Sequence, residues 1–120
     1  MTEKEFYDII GGNYNDALSR LMNDTFIRKF VVKFKDDPSF SELSSALSEE
    51  KWDEAFSAAH TLKGVALNMA FARLGDSATR ITDMLRPQNR ERFDKQKVMD
   101  AFDEVKADYN TVCGQIEKLQ

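Results

Sequence analysis

One histidine, one lysine and one glycine lie close together near the middle of the chain and could act together. His60 is the only histidine among the 120 residues, and Lys63 and Gly64 follow it by three and four positions. On a helix both positions lie one turn from His60. Neutral imidazole is a nucleophile near neutral pH because its ordinary pKa is about 6.5. The Lys63 ammonium could stabilise an anion held on the ring, and a phosphoryl group is such an anion.

Gly64 adds a steric argument. A glycine inside a helix costs about 1 kcal/mol relative to alanine, and its usual role is to let another backbone or a ligand come close. We interpret Gly64 as a position where the missing side chain leaves space for a docking partner. Simpler explanations stay open here: a surface histidine usually has no role, a lysine three residues later is common, and a mid-helix glycine often packs against a neighbouring helix.

Other kinds of chemistry have little support in the sequence. A dedicated zinc site needs clustered His and Cys ligands, whereas the one His and the one Cys here stand among scattered carboxylates. We therefore predict no metal site. No Ser-His-Asp or Cys-His arrangement follows from the spacing, and no glycine-rich phosphate loop occurs. An enzyme with its own ATP site is not expected.

The helix that carries His60 is predicted from a regular apolar seam. The seam residues, spaced by three or four, are Trp52, Ala55, Ala59, Leu62, Ala66 and Met69. At about 100° per residue, His60 lies about 130° from the middle of this seam. The imidazole should therefore project from the flank or outer side of a helix that ends near Asn68.

The other segments also have helical spacing, and none shows a sustained strand-like alternation. We predict a short helix from Glu3 to Ile10, a long helix from about Asn15 to Asp37, and a short helix capped by Asp37 with Pro38 in its first turn. The long helix should bury a stripe formed by Leu18, Leu21, Met22, Phe26, Phe30 and Phe34. Ser48-Glu49-Glu50-Lys51 is predicted to cap the helix of His60.

Two further helices complete the prediction. One runs from about Phe71 to Leu85, and the last has a heptad seam of Val98, Phe102, Val105, Tyr109, Val112, Ile116 and Leu119. The expected fold is all-α: an antiparallel four-helix bundle with one or two short additional N-terminal helices, forming a single domain over residues 1–120. The heptad could instead form a coiled-coil dimer, but bundle packing is favoured, so we expect a monomer.

Composition limits the partners and the compartment. The chain has 17 Lys and Arg against 21 Asp and Glu, a formal net charge of −4, which does not favour nucleic acid or an anionic membrane surface. No stretch approaches the roughly 20 apolar residues needed to span a bilayer, and the N-terminus does not resemble a signal peptide. A single cysteine, Cys113, cannot form an internal disulfide. We expect a cytoplasmic protein with protein partners.

The run from Ala59 to Ala70, AHTLKGVALNMA, resembles the signature of histidine-containing phosphotransfer (HPt) domains, which is approximately His-x-Leu-Lys-Gly followed after five residues by Gly. His60, Lys63 and Gly64 match this signature. The further matches are Leu62 and Asn68. Ala70 stands in place of the last glycine, where the helix should turn into the next one.

The resemblance implies a role for each matching residue. His60 would be the phosphoacceptor, Lys63 would stabilise the phosphohistidine, and Gly64 would make room for the partner. The expected partner-binding residues are Phe56, Ser57, Gly64, Leu67 and Asn68. The partners implied are receiver domains of response regulators or of a hybrid sensor kinase. The receiver would supply the aspartyl phosphate and Mg²⁺, while this chain would bind no cofactor.

Three alternatives remain at this stage. The dimerisation helix of a sensor histidine kinase commonly has an acidic residue directly after its histidine, where this chain has Thr61. The phosphotransfer domain of a larger hybrid or chemotaxis-type kinase has a similar motif, although we expect the chain from Met1 to be self-contained. A non-catalytic helical adaptor could bind receiver domains through the same surface without phosphate chemistry.

Overall fold

The computed structural model describes residues 1–119, which form helices joined by short turns and include no strand. In chain order the helices are α1 Glu3–Ile10, α2 Tyr14–Leu21, α3 Asp24–Phe34, α4 Ser39–Ser48, α5 Trp52–Asn68, α6 Ala72–Leu85 and α7 Lys95–Leu119, with a 3₁₀ helix, Pro87–Arg92, between α6 and α7. The all-α prediction is confirmed. Within the described residues, no helix combines the length and the apolar character needed to cross a membrane.

Helices α4 to α7 form the bundle. The three-residue turns that join α4 to α5 and α5 to α6 make these neighbours antiparallel. Phe40 of α4 closes the bundle against α7, since its ring stacks on Phe102 at 5.6 Å and on Tyr109 at 4.0 Å between centroids. The seams predicted for α5 and α7 are buried, apart from the half-buried Trp52 and Tyr109, and the apolar residues spaced by three or four along α6 are buried too. The helical-bundle prediction is confirmed, but its first helix is the short α4 and not the long helix expected from Asn15 to Asp37, and three short helices precede it instead of one or two.

The predicted long helix from Asn15 to Asp37 is wrong, because the chain breaks between α2 and α3. Met22 has φ 77° and ψ −45°, and the Asn23 N–H donates to the Leu21 carbonyl at 2.9 Å, which closes a γ-turn. The Asn23 side chain then caps α3 by accepting the Phe26 N–H. This turn changes the buried face. The buried α3 residues are Ile27, Val31 and Phe34, whereas Met22, Phe26 and Phe30 are exposed.

Both ends of α4 also differ from the prediction. Asp37 accepts the Ser39 N–H at 2.9 Å as expected, but α4 begins at Ser39, so Pro38 precedes the first turn. The predicted cap over Ser48–Lys51 is wrong, because α4 continues through Ser48 and the chain turns at Glu50, with φ 56°. The Lys51 N–H donates to the Ala46 carbonyl at 2.9 Å, so these residues close a Schellman motif at the end of α4.

The N-terminal helices are fastened to the turn between α5 and α6. The Tyr7 hydroxyl donates to the Met69 carbonyl at 2.8 Å, the Asn13 N–H donates to the Ala70 carbonyl at 2.9 Å, and the Arg73 N–H donates to the Gly11 carbonyl at 3.1 Å. Ala70 itself has φ 58°, the left-handed conformation that a glycine favours. The turn therefore keeps glycine-like geometry although its residue is alanine.

Candidate functional site

His60 is exposed halfway along α5. On the inner side of the same turns, Ala59 and Leu62 are fully buried against the bundle. The inner face of α5 therefore packs on the bundle while the imidazole projects outward, as the seam predicted. An exposed ring on a rigid helix is accessible to a reacting group on another protein.

Phe56, one turn before His60, packs beside the imidazole. The two ring centroids are 6.0 Å apart and the ring planes differ by 21°. Phe56 is half-buried and also packs on the bundle core. A second contact comes from α6, where the Arg86 Cζ lies 5.7 Å from the Phe56 ring centroid. The Phe56 ring therefore contacts both the imidazole of His60 and the guanidinium of Arg86.

Lys63 and Gly64 lie one turn after His60. Lys63 is half-buried, and no carboxylate within residues 1–119 forms an ion pair with it. A side-chain carbon placed on Gly64 would have open space around it, with no atom beyond the local helix backbone within 4 Å. Packing of Gly64 against a neighbouring helix, the simpler explanation of this glycine, is therefore excluded.

The remaining predicted site residues border this surface on α5. Leu67 is 41% exposed and packs on Gly75 of α6, where an added Cβ would lie 2.7 Å from the Leu67 Cδ2. Ser57 and Asn68 are exposed, and the Ser57 carbonyl accepts a hydrogen bond from the Thr61 hydroxyl at 3.0 Å. The structure thus places all seven predicted residues on α5 and leaves each of them at least partly accessible.

Charge is distributed unevenly around His60. An open groove of about 600 Å³ separates α4 from α5, and its lining includes the carboxylates of Glu42, Glu49, Asp53 and Glu54. On the other flank, two arginines follow α6: Arg86, which lies against Phe56 and pairs with Asp83, and Arg90, whose guanidinium lies 3.1 Å from Asp53. Within residues 1–119, no group of three or more His, Cys, Asp or Glu side chains is arranged to hold a metal ion.

Sequence reasoning missed the contribution of Arg86. The pair Arg86-Pro87 in the sequence indicates only the end of a helix, and nothing in the local pattern connects Arg86 with Phe56, a residue 30 positions earlier. The contact exists because α5 and α6 are antiparallel, which brings the end of α6 to the first half of α5. Predicting it requires the register between these two helices.

The family model of the Hpt domain matches residues 36–119. The chain belongs to the Hpt domain family. Hpt domains carry phosphoryl groups on histidine in phosphorelays, interact with receiver domains and lack an ATP-binding catalytic site of their own. The comparisons with curated proteins and with solved structures returned no match.

The matched region of this Hpt domain covers the four bundle helices and therefore the entire α5 surface around His60. Helices α1 to α3 precede the matched region. They reach the family bundle through the bonds to the turn at Ala70 described above. The family match thus separates a bundle that carries the site from an N-terminal part that braces one end of it.

Proposed function

We propose that this Hpt domain carries a phosphoryl group on His60 between receiver-domain aspartates of a two-component phosphorelay. The observation that supports this most directly is the combination of an exposed imidazole, a lysine without an ion pair in the described residues, and open space above Gly64 on one helix surface. A histidine without a role would not need the other two features. The proposed partners are receiver domains of response regulators or of a hybrid kinase. This chain is proposed to act as a monomer in the cytoplasm.

The proposed transfer is a single displacement at phosphorus. The unprotonated ring nitrogen of His60 donates its lone pair to the phosphorus of the aspartyl phosphate. The bond from phosphorus to the aspartyl oxygen breaks, and its electron pair stays on the released carboxylate. The product is a phosphohistidine whose other ring nitrogen keeps its proton, so the reverse step regenerates neutral imidazole. Donor and acceptor aspartates can therefore use the same chemistry in opposite directions.

The neighbours of His60 have separate proposed roles. Lys63 stabilises the phosphoryl oxygens because its ammonium is a flexible cation one turn away. Phe56, Ser57, Gly64, Leu67 and Asn68 form the partner surface. Mg²⁺ belongs to the receiver, where it would offset the charge of the phosphoryl group and the surrounding carboxylates.

The direct test mixes the chain with a phosphorylated receiver domain and Mg²⁺ and compares the native protein with His60→Gln. Only the native chain should acquire phosphate, and the product should be labile in acid and stable in alkali. The exposed substitution should change the free energy of unfolding by less than about 0.5 kcal/mol, so a urea titration confirms that folding is intact. Phosphate accepted by the variant would show that His60 is not the acceptor.

Two glycines provide a matched test of the docking surface. Gly64 and Gly114 both lie inside helices, and an added side chain at either meets no atom beyond the local helix backbone within 4 Å. Gly64→Gln should slow transfer from a receiver because the new side chain occupies the partner's space, whereas Gly114→Gln on α7 should not. Equal rates for the two variants would contradict docking at Gly64. Receiver binding without transfer in the native chain would instead favour the adaptor alternative.

A further inference from the structure

Arg86 approaches the surroundings of His60 from α6 rather than from the helix that carries the histidine. Its guanidinium carbon lies 5.7 Å from the Phe56 ring centroid, and the same ring lies 6.0 Å from the His60 ring centroid. A guanidinium within about 6 Å of an aromatic centroid is attracted by the negative face of the ring. The side chains thus form a continuous series, Arg86 to Phe56 to His60.

Arg86 is fixed both at its guanidinium and at its backbone. Its Nε donates to the Asp83 carboxylate at 3.0 Å, which fixes the guanidinium, and its backbone is extended, with ψ 137°, immediately before Pro87. A residue before proline is disfavoured in the helical conformation, so α6 ends here and the Arg86 side chain is directed by the end of the helix. The Arg86 side chain is 33% exposed. This partial burial restricts its alternative positions.

We propose that Arg86 is a positioning residue that orients the His60 imidazole through the Phe56 ring; this inference rests on the proposed function of His60. The guanidinium holds the Phe56 ring against rotation, and the ring in turn limits the imidazole to orientations within a nearly parallel contact. Transfer needs the ring nitrogen aligned with phosphorus and the leaving oxygen, and loss of such alignment slows a reaction even when every reacting group is present. Arg86 therefore acts on the acceptor before any partner binds.

A purely structural role is the competing explanation for Arg86. Its ion pair with Asp83 is at the surface, where such pairs contribute about 0–1 kcal/mol to stability. Arg80 provides the comparison, because it lies in α6, the helix that ends just before Arg86, and pairs with Glu104 of α7. Its side chain is 49% exposed. If Arg86 only supports the fold, Arg86→Gln and Arg80→Gln should behave alike.

The experiment measures ring contact and phosphate acceptance separately. Proton NMR of the single histidine gives the ring-current displacement of its two carbon-bound protons, and Phe56→Leu supplies the value without the aromatic contact. Phosphate acceptance is measured with phosphoramidate, a small donor that has no docking surface. Arg86→Gln, Arg86→Lys and Arg80→Gln are compared with the native chain in both measurements.

Arg86→Gln should move the His60 resonances towards their Phe56→Leu positions and slow loading by phosphoramidate about threefold, in line with the strength of cation–π contacts at partly exposed sites. Arg86→Lys should restore part of both effects because it keeps a cation, and Arg80→Gln should match the native chain. Unchanged His60 resonances in Arg86→Gln would overturn the proposal. Slower transfer from a receiver with normal phosphoramidate loading would also overturn it, since Arg86 would then contact the partner. If native His60 accepts no phosphate, the proposed function fails, while the resonances still decide whether Arg86 controls the ring.

Discussion

Three residues other than glycine have positive φ within residues 1–119, and they show how strain is distributed in this chain. They are Met22 at 77°, Glu50 at 56° and Ala70 at 58°. A positive φ costs a residue with a Cβ roughly 1–2 kcal/mol, a penalty that glycine avoids. Glu50 and Ala70 both end helices in Schellman motifs, whose hydrogen bonds offset this cost. Met22 lies in a γ-turn, a rarer and more strained conformation.

Ala70 shows why the departure from the family glycine is tolerated. A glycine at this position would avoid the strain, but the greater freedom of the unfolded chain would lower the free energy of unfolding by about 0.4–1 kcal/mol. It would also lose the burial of a methyl group, about 0.8 kcal/mol, because Ala70 is only 4% exposed. The opposing contributions are of similar size, so alanine and glycine are nearly equivalent at this turn.

At Met22 the relief of strain should outweigh the loss of burial. Its side chain is 80% exposed, so almost no burial is lost when it is removed. Met22→Gly should therefore raise the free energy of unfolding by about 1 kcal/mol through relief of strain. Met84→Gly, at a site 36% exposed within α6, should lower it by more than about 1 kcal/mol, because a glycine inside a helix costs about that much and side-chain burial is lost as well. Urea titrations that give both changes the same sign would show that Met22 is unstrained.

At the scale of elements, the contact between α1 and the α5–α6 turn leaves almost no room. A Cβ at Gly12 would lie 2.9 Å from the Ala70 carbonyl oxygen and 2.6 Å from the Tyr7 ring. The carbonyl accepts the Asn13 N–H, and the Tyr7 hydroxyl is bonded to Met69. Neither group can move without disturbing its hydrogen bond. Close approach of backbone to backbone is therefore what this glycine provides.

Gly12→Ala should lower the free energy of unfolding by about 1–3 kcal/mol, the usual cost of overpacking. Gly114→Ala is the control, because its added methyl meets no atom beyond the local helix backbone and should raise stability by up to about 1 kcal/mol. Hydrogen exchange should show the loss in Gly12→Ala first at the Asn13 and Arg73 amides. A uniform loss of protection across the bundle would mean that α1 is not a separate brace.

At the scale of the whole molecule, one buried and one half-buried phenol make stability sensitive to alkaline pH. Burial raises the pKa of Tyr7 well above its ordinary value of 10.0 and raises the pKa of Tyr109 to about 12. The unfolded chain then releases phenolic protons first, so stability is retained below about pH 9 and falls as the pH rises through about 10. Burial also raises the pKa of Cys113, which adds a loss of the same sign.

The expected result is a free energy of unfolding that declines between about pH 10 and 12 by up to about 1.4 kcal/mol per pH unit for each such group. Tyr7→Phe should lower stability at pH 8 by about 1–3 kcal/mol, because the Met69 carbonyl loses its donor. The same variant should decline less steeply above pH 9. Urea titrations at several pH values give both slopes, and identical slopes would contradict the assignment to Tyr7.

The sequence predicted the bundle better than the N-terminal part for a physical reason. The seams of α5, α6 and α7 are regular and are separated by clear breaks, so their buried faces followed from spacing alone. The apolar spacing from Leu18 to Phe34 continues through the break at Met22, whose positive φ no residue type announces. Asn23, a good helix cap, was the one available signal of a new start.

In the candidate site too, positions along one helix could be predicted from the sequence, whereas a contact between two helices could not. His60, Lys63 and Gly64 share one helix, so their relative positions followed from helical geometry, and the exposure of His60 is confirmed. Arg86 joins Phe56 only through the packing of α6 on α5. Contacts of this kind depend on three-dimensional register, which the spacing within one helix does not contain.

The N-terminal helices are attached to the bundle by hydrogen bonds and by buried aromatic side chains. Two of the three hydrogen bonds to the α5–α6 turn join backbone N–H groups to backbone carbonyls, and in the third Tyr7 contributes a side chain. Main-chain bonds depend little on the surrounding side chains, but the rings of Phe6 and Phe34 also pack edge-to-face on Phe71, at 6.0 and 5.2 Å between centroids. A graft of residues 1–35 onto another Hpt bundle would therefore need an aromatic residue at the position of Phe71 as well as the same turn after the phosphoacceptor helix.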